Sequence, residues 1–277
     1  MPDTMPNRID STFAQLRQRG HKGLVAYITA GDPDLETTGC LAQAIEKAGA
    51  DILELGVPFS DPLADGPVNQ LAAQRALQSG TTLRKIIRLV RDIRASCQIP
   101  IALFTYYNPV HRYGLAALVE DAAAAGVDGL LILDLPPEEA EGASKIMALR
   151  GISRICLVAP TSSEERIKKI CAQARGFIYY VSREGVTGMQ QSVANSLSEK
   201  IALIRKYTDL PIAVGFGISN PEQAAQVAAM ADAVVVGSAI VDQIAKLGRS
   251  ANLLPDVASF VQSLADAVKS RPPAPTP

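Results

Sequence analysis

Three carboxylates, Glu54, Asp61 and Asp65, stand close together in the stretch DILELGVPFSDPLADGP (51–67). Glu54 interrupts an apolar run that otherwise reads as a buried strand, and the two aspartates follow in a loop rich in Pro and Gly. A buried carboxylate is costly unless it is paired, neutralised or used. Glu54 is therefore either half of a structural ion pair with Arg or Lys, or a general acid/base whose pKa is lifted by aliphatic neighbours. Asp65 can orient a polar ligand group or accept a proton; Asp61, in SDP, is ambiguous between capping its own turn and a direct chemical role, with capping the better fit.

A second constellation comes late in the chain. SREGVTG (182–188), GFGIS (215–219) and GSAI (237–240) are glycine-bearing loops that each follow a short apolar run. Glycine lets backbone N–H groups approach an anion closely, and a helix starting at Gly237 and Ser238 would aim its N-terminus at the same point. Any one of these loops is ordinary turn chemistry; three in succession outline a phosphate cradle.

Other chemistry has few residues to draw on. The chain has two histidines, His21 and His111, in polar, loop-like surroundings, which leaves little for a His-rich metal site or a Ser/His/Asp triad. No lysine ends a strand candidate, so an imine-forming aldolase is disfavoured. Cys40, Cys97, Cys156 and Cys171 lack close metal-type spacing and read as reduced core residues. Lys plus Arg number 27 against 28 Asp plus Glu, which excludes the global basic field of a nucleic-acid or anionic-membrane binder. No apolar run reaches the roughly 18 residues of a membrane span, and MPDTMPNRIDSTF has no secretory apolar core, so the cytoplasm is the expected compartment.

The elements that must position these groups alternate. Strand candidates are LVAYIT (24–29), DILEL (51–55), PIALFT (100–105), GLLIL (129–133), RICLV (154–158), FIYYV (177–181), PIAVG (211–215) and DAVVV (232–236), with amphipathic helical stretches between them. Eight strand-then-helix units over this length fit an α/β fold of the (β/α)8 TIM-barrel type better than an open doubly wound sheet, which remains the competing architecture. GTT splits the long segment after the second strand into two helices, an elaboration on the barrel. The chain reads as one domain with an ordered core over about 13–268 and a Pro-rich, disordered tail, RPPAPTP (271–277). In such a barrel, alternation puts Ile52, Glu54 and Gly56 on the inner face and Leu53 and Leu55 against the helices, which turns Glu54 into the mouth where active sites form.

Taken together, LELGVPFSDPLADGP, ITAGDP, TYYNP, SREGVTG, GFGIS and VGSAIV resemble the tryptophan synthase α-subunit family in order and spacing, over roughly Phe13 to Val268. The resemblance implies retro-aldol cleavage of indole-3-glycerol phosphate to indole and glyceraldehyde 3-phosphate, with no metal and no organic cofactor in this subunit. It implies Glu54 as general acid/base and Asp65 as the group that holds the indole N–H. Gly188, Gly217, Gly237 and Ser238 would bind phosphate. Tyr179 would lie close to Glu54 and the substrate, Tyr106 beside the indole, and Tyr27 where the family commonly has an aromatic against the ring. Thr187 and Arg183 belong to a loop that would close over substrate, Thr187 meeting Asp65. The loops SDPLADGP and YYNPVHRYG would contact a β subunit carrying pyridoxal phosphate, in an α2β2 assembly with an indole channel. An autonomous indole-releasing lyase, another phosphosugar barrel and a non-catalytic activating scaffold are the alternatives.

Overall fold

The computed structural model describes residues 7–181, 191–215 and 217–270. In chain order, α1 (Arg8–Arg19) precedes β1 (Gly23–Thr29) and α2 (Leu35–Lys47). β2 (Ile52–Gly56) is followed by α3 (Pro67–Gln78) and α4 (Leu83–Ile93), and β3 (Ile101–Thr105) by α5 (Tyr107–Tyr113) and α6 (Leu115–Ala125). Next come β4 (Gly129–Ile132), a 3-10 turn (Pro137–Glu139), α7 (Glu141–Leu149), β5 (Ser153–Arg154), β6 (Cys156–Val158) and α8 (Glu164–Gln173). β7 (Ile178–Val181), α9 (Gln191–Arg205), β8 (Ile212–Gly215), α10 (Pro221–Ala228), β9 (Ala233–Val236), α11 (Ser238–Leu247) and α12 (Leu253–Lys269) complete it.

The strands are parallel and lie in the order β5-β4-β3-β2-β1-β9-β8-β7-β6. Since β5 and β6 are separated only by Ile155, the two ends of that order meet and the sheet closes as a TIM barrel. The fifth strand candidate, RICLV, is thus two segments. The chain pairs with β4 through Gly129↔Ser153 and Leu130↔Arg154, then with β7 through Cys156↔Ile178 to Val158↔Tyr180.

Both faces of the strands are covered, which is why they are aliphatic runs rather than alternating ones. Leu53 and Leu55 join the outer cluster with the helices, while Ile52 joins Val25, Ala102, Leu131, Ile155, Phe177, Ala213 and Val235 inside. The N-terminal polar stretch forms α1, whose Ile9, Phe13 and Leu16 plug the bottom of that interior; Phe13 lies 5.7 Å from Phe177, centroid to centroid. Asn7 caps α1 and donates to Asp128 O at 2.8 Å and to Ser153 Oγ at 2.9 Å, which ties the plug to the strands above.

Two local expectations need correction. YYNPVHRYG is largely helical: α5 carries His111, whose ring lies 5.9 Å from that of Tyr107, so His111 is not a loop residue. Cys40 is exposed on α2 because it falls off that helix's buried stripe of Thr38, Leu41, Ala42 and Ile45; Cys97, Cys156 and Cys171 are buried free thiols. The expected GTT break separates α3 from α4. The tail RPPAPTP lies outside the described residues.

Candidate active site

The register aligns Tyr27 with Glu54 and Glu54 with Ala102, which sets the carboxyl on the inner wall above the aliphatic layers. Glu54 is 1% exposed, and neither carboxyl oxygen has a hydrogen-bond partner among the described residues. The structural ion pair is therefore absent there. Burial alone pushes its pKa up to about 8, so it carries its proton at neutral pH.

A cavity of about 280 Å³ opens above it, walled by Tyr27, Phe104, Tyr179, Asn69, Ile218 and Val235 and floored by Glu54. Larger grooves lie outside the barrel mouth; one of about 750 Å³ runs between Phe59, Pro62, Leu71 and Leu77. The smaller one holds the buried carboxyl, which makes it the candidate site. Two strand-end glycines make its width. A Cβ at Gly56 would collide with the Tyr27 hydroxyl, and one at Gly215 would lie 2.8 Å from the Tyr179 hydroxyl. Burial and nearby acids raise the pKa of both tyrosines, so both stay neutral.

Asp65 does not itself line the cavity; it lies in the loop that leads from β2 into α3, next in sequence to the lining residue Gly66. Its Oδ2 accepts from the Tyr106 hydroxyl at 2.8 Å, and that hydroxyl accepts from the Ala64 N–H at 3.0 Å. Burial raises the pKa of Asp65 and the hydrogen bond from Tyr106 opposes it; Tyr106, buried beside an acid, is itself pushed up. Asp61 is exposed, takes a hydrogen bond from Ser60 Oγ at 2.6 Å, and does not line the cavity.

The late glycine constellation meets the same space in part. Gly217 (φ +68), Gly237 and Ser238 line the cavity, and α11 begins at Ser238 with no side chain capping its first turn. None of the described lining residues carries a positive charge, so an anion there would be held by backbone N–H groups and the end of the helix dipole. Gly188, Thr187 and Arg183 lie outside the described residues. No group of three or more metal-ligating side chains occurs among the described residues.

Phe104, whose ring meets Tyr27 edge-on at 5.4 Å, and Asn69 were not singled out by the sequence. Alternation from Ala102 would have placed Phe104 inward. Nothing in the local pattern marks Asn69, because α3's place beside the mouth is a tertiary fact.

The sequence profile of the family Tryptophan synthase alpha chain matches residues 13–269. The tryptophan synthase alpha chain of Geobacter sulfurreducens is 53% identical over 262 residues, covering 95% of this chain and 99% of the relative. That of Synechococcus elongatus is 49% identical over 265 residues, covering 95% and 98%. Among solved structures, tryptophan synthase subunit alpha from Legionella pneumophila superposes with a TM-score of 0.88 at 39% identity, covering 95% of this chain and 98% of that one. A chain of M. tuberculosis tryptophan synthase, in its aminoacrylate- and BRD0059-bound form, gives 0.86 at 33%, covering 96% and 100%.

Proposed function

The chain belongs to the tryptophan synthase alpha chain family, and on that premise we propose how its residues cleave indole-3-glycerol phosphate to indole and glyceraldehyde 3-phosphate. The observation that carries the mechanism is a buried Glu54, unpartnered among the described residues and with its pKa pushed up by burial, in the lining of an aromatic cavity. Glu54 gives its proton to the indole carbon that bears the glycerol chain. Asp65, at the ring N–H, stabilises the positive charge that develops on the ring. The Glu54 carboxylate then takes the proton of the adjacent hydroxyl, and the carbon–carbon bond breaks. Its electron pair returns to the ring and the hydroxyl carbon becomes the aldehyde, so Glu54 ends each cycle protonated. The reaction is a carbon–carbon lyase step that calls on no metal or organic cofactor in this subunit.

Backbone N–H groups at Gly217, Gly237 and Ser238 hold the phosphate, with Gly188 completing the cradle; Thr187 and Arg183 serve loop closure. A Cβ at Gly237 would press on the Tyr27 ring at 3.3 Å. Gly237→Val is expected to weaken competition by glyceraldehyde 3-phosphate tenfold or more while lowering kcat far less; equal losses in both would remove Gly237 from the phosphate site.

The partner is a tryptophan synthase β subunit, which carries the pyridoxal phosphate and receives indole within an α2β2 assembly. Leu63 is 95% exposed and Leu71 56% exposed beside the outer groove, in the loop and helix after β2, an apolar surface that supports a docked partner. No helix among the described residues is long and apolar enough to cross a membrane, and the biosynthetic role fits the cytoplasm. The test is indole release from indole-3-glycerol phosphate by the purified chain, alone and with β subunit. Slow release that β accelerates supports the partnered reading. Fast release indifferent to β makes the chain an autonomous lyase, and no release in either case rejects the reaction.

A further inference from the structure

Among the described residues, the buried side-chain polar atoms without a hydrogen-bond partner are Thr29 Oγ1, both carboxyl oxygens of Glu54, and Asn69 Oδ1. Folded proteins rarely leave such atoms unpaired, and each instance calls for a reason. Thr29 is within reach of the Tyr27 hydroxyl, and Glu54 is used in acid–base chemistry. Asn69 has no such account. It stands on the first turn of α3, four residues after Asp65, and lines the same cavity as Glu54 and Phe104. An aliphatic side chain would fill that wall without stranding a polar atom.

The two ends of the carboxamide differ. Asn69 favours the charged form of Asp65, which is the work of its NH2 end; the oxygen is the end left over. An acceptor beside Asp65 that takes no hydrogen bond from Tyr27, Tyr179 or Ser238, the hydroxyl side chains of the same cavity, is open to a donor that arrives with the ligand. The substrate's bicyclic ring offers one, its N–H.

We propose that Asn69 is a specificity-determining residue whose Oδ1 shares the ring N–H of the substrate with the Asp65 carboxylate. The pair selects a bicycle that bears a donor and rejects an isostere that lacks one. A site built to hydrogen-bond a donor discriminates strongly, because the analogue leaves the site's own acceptors unpaired. The inference rests on the substrate reading above and deepens it.

The test compares inhibition of indole-3-glycerol phosphate cleavage by indole and by benzofuran, which has oxygen in place of the N–H, in the full chain with β subunit present. The wild type should prefer indole by about tenfold or more. Asn69→Leu should lose at least about threefold of that preference while still cleaving substrate. Should Asn69→Leu fail to fold, Asn69→Ala is read by the same ratio. A folded, active variant with an unchanged indole-to-benzofuran ratio overturns the role of Asn69 alone, since a merely structural residue would leave the ratio untouched. A wild type that neither cleaves the substrate nor binds indole overturns the substrate reading and this inference with it.

Discussion

Glu54→Gln is expected to lower kcat for indole release by about a thousandfold, the usual scale for loss of a general acid/base, while KM changes little. Glutamine keeps the size and the burial but has no proton to give. Turnover near the wild-type value would remove Glu54 from the chemistry. In the wild type the acid form of Glu54 is the active one, so kcat/KM should fall about tenfold per unit above the pKa of about 8. It should fall again at acid pH as Asp65, whose charged form the step needs and whose pKa burial raises, takes up a proton. The same substitution should be stabilising. A carboxyl whose pKa is 4.5 in the unfolded chain and about 8 in the folded one binds more protons folded than unfolded between those values. Wild-type stability therefore falls as pH rises from about 4.5 to about 8, by an amount on the order of a few kcal/mol, and levels off above. Glu54→Gln should lack that slope. Urea unfolding at pH 5, 7 and 8.5 reads the difference directly. Parallel slopes in the two proteins would mean that the carboxyl is not held neutral by burial.

Asp65→Asn should cost about a hundredfold in kcat, because an amide oxygen at the ring N–H cannot balance the positive charge that forms there. Phosphate-ligand affinity should be nearly intact; comparable loss of ligand binding would make Asp65 a binding residue instead. Tyr106 acts on this group through one hydrogen bond of 2.8 Å and is itself held by the Ala64 N–H. Tyr106→Phe should therefore cost about tenfold or less, as befits one neutral hydrogen bond to a charged group. The double variant should be no slower than Asp65→Asn alone, since the tyrosine's contribution passes through the carboxylate. Additive losses would give Tyr106 an independent contact with the substrate.

The residues proposed to do the chemistry carry strong local signals. A carboxylate inside an aliphatic strand violates the pattern around it, and period-two alternation then decides which face it takes; Glu54 lies on the inner face with Ile52, and Leu53 and Leu55 pack outward. The repeat of apolar runs and helices likewise specifies a parallel sheet, since parallel strands need crossovers of that length, and the number of eight units favours a closed barrel over an open sheet. The α1 plug was not legible, because its job is set by the hollow that closure leaves beneath Val25 and Phe177. Nor was the division of the fifth strand between two neighbours, which follows from register around the ring. Gly56 and Gly215 read locally as strand ends, yet their use is to clear space for Tyr27 and Tyr179 from adjacent strands. Asn69 reads as an ordinary polar position in a helix, and only the packing of α3 against the mouth makes its oxygen a buried acceptor beside Asp65. Periodicity and composition act between residues a few positions apart and are written along the chain. Width, burial and electrostatics at the site arise between residues brought together by closure of the barrel, and these were decided by the tertiary structure.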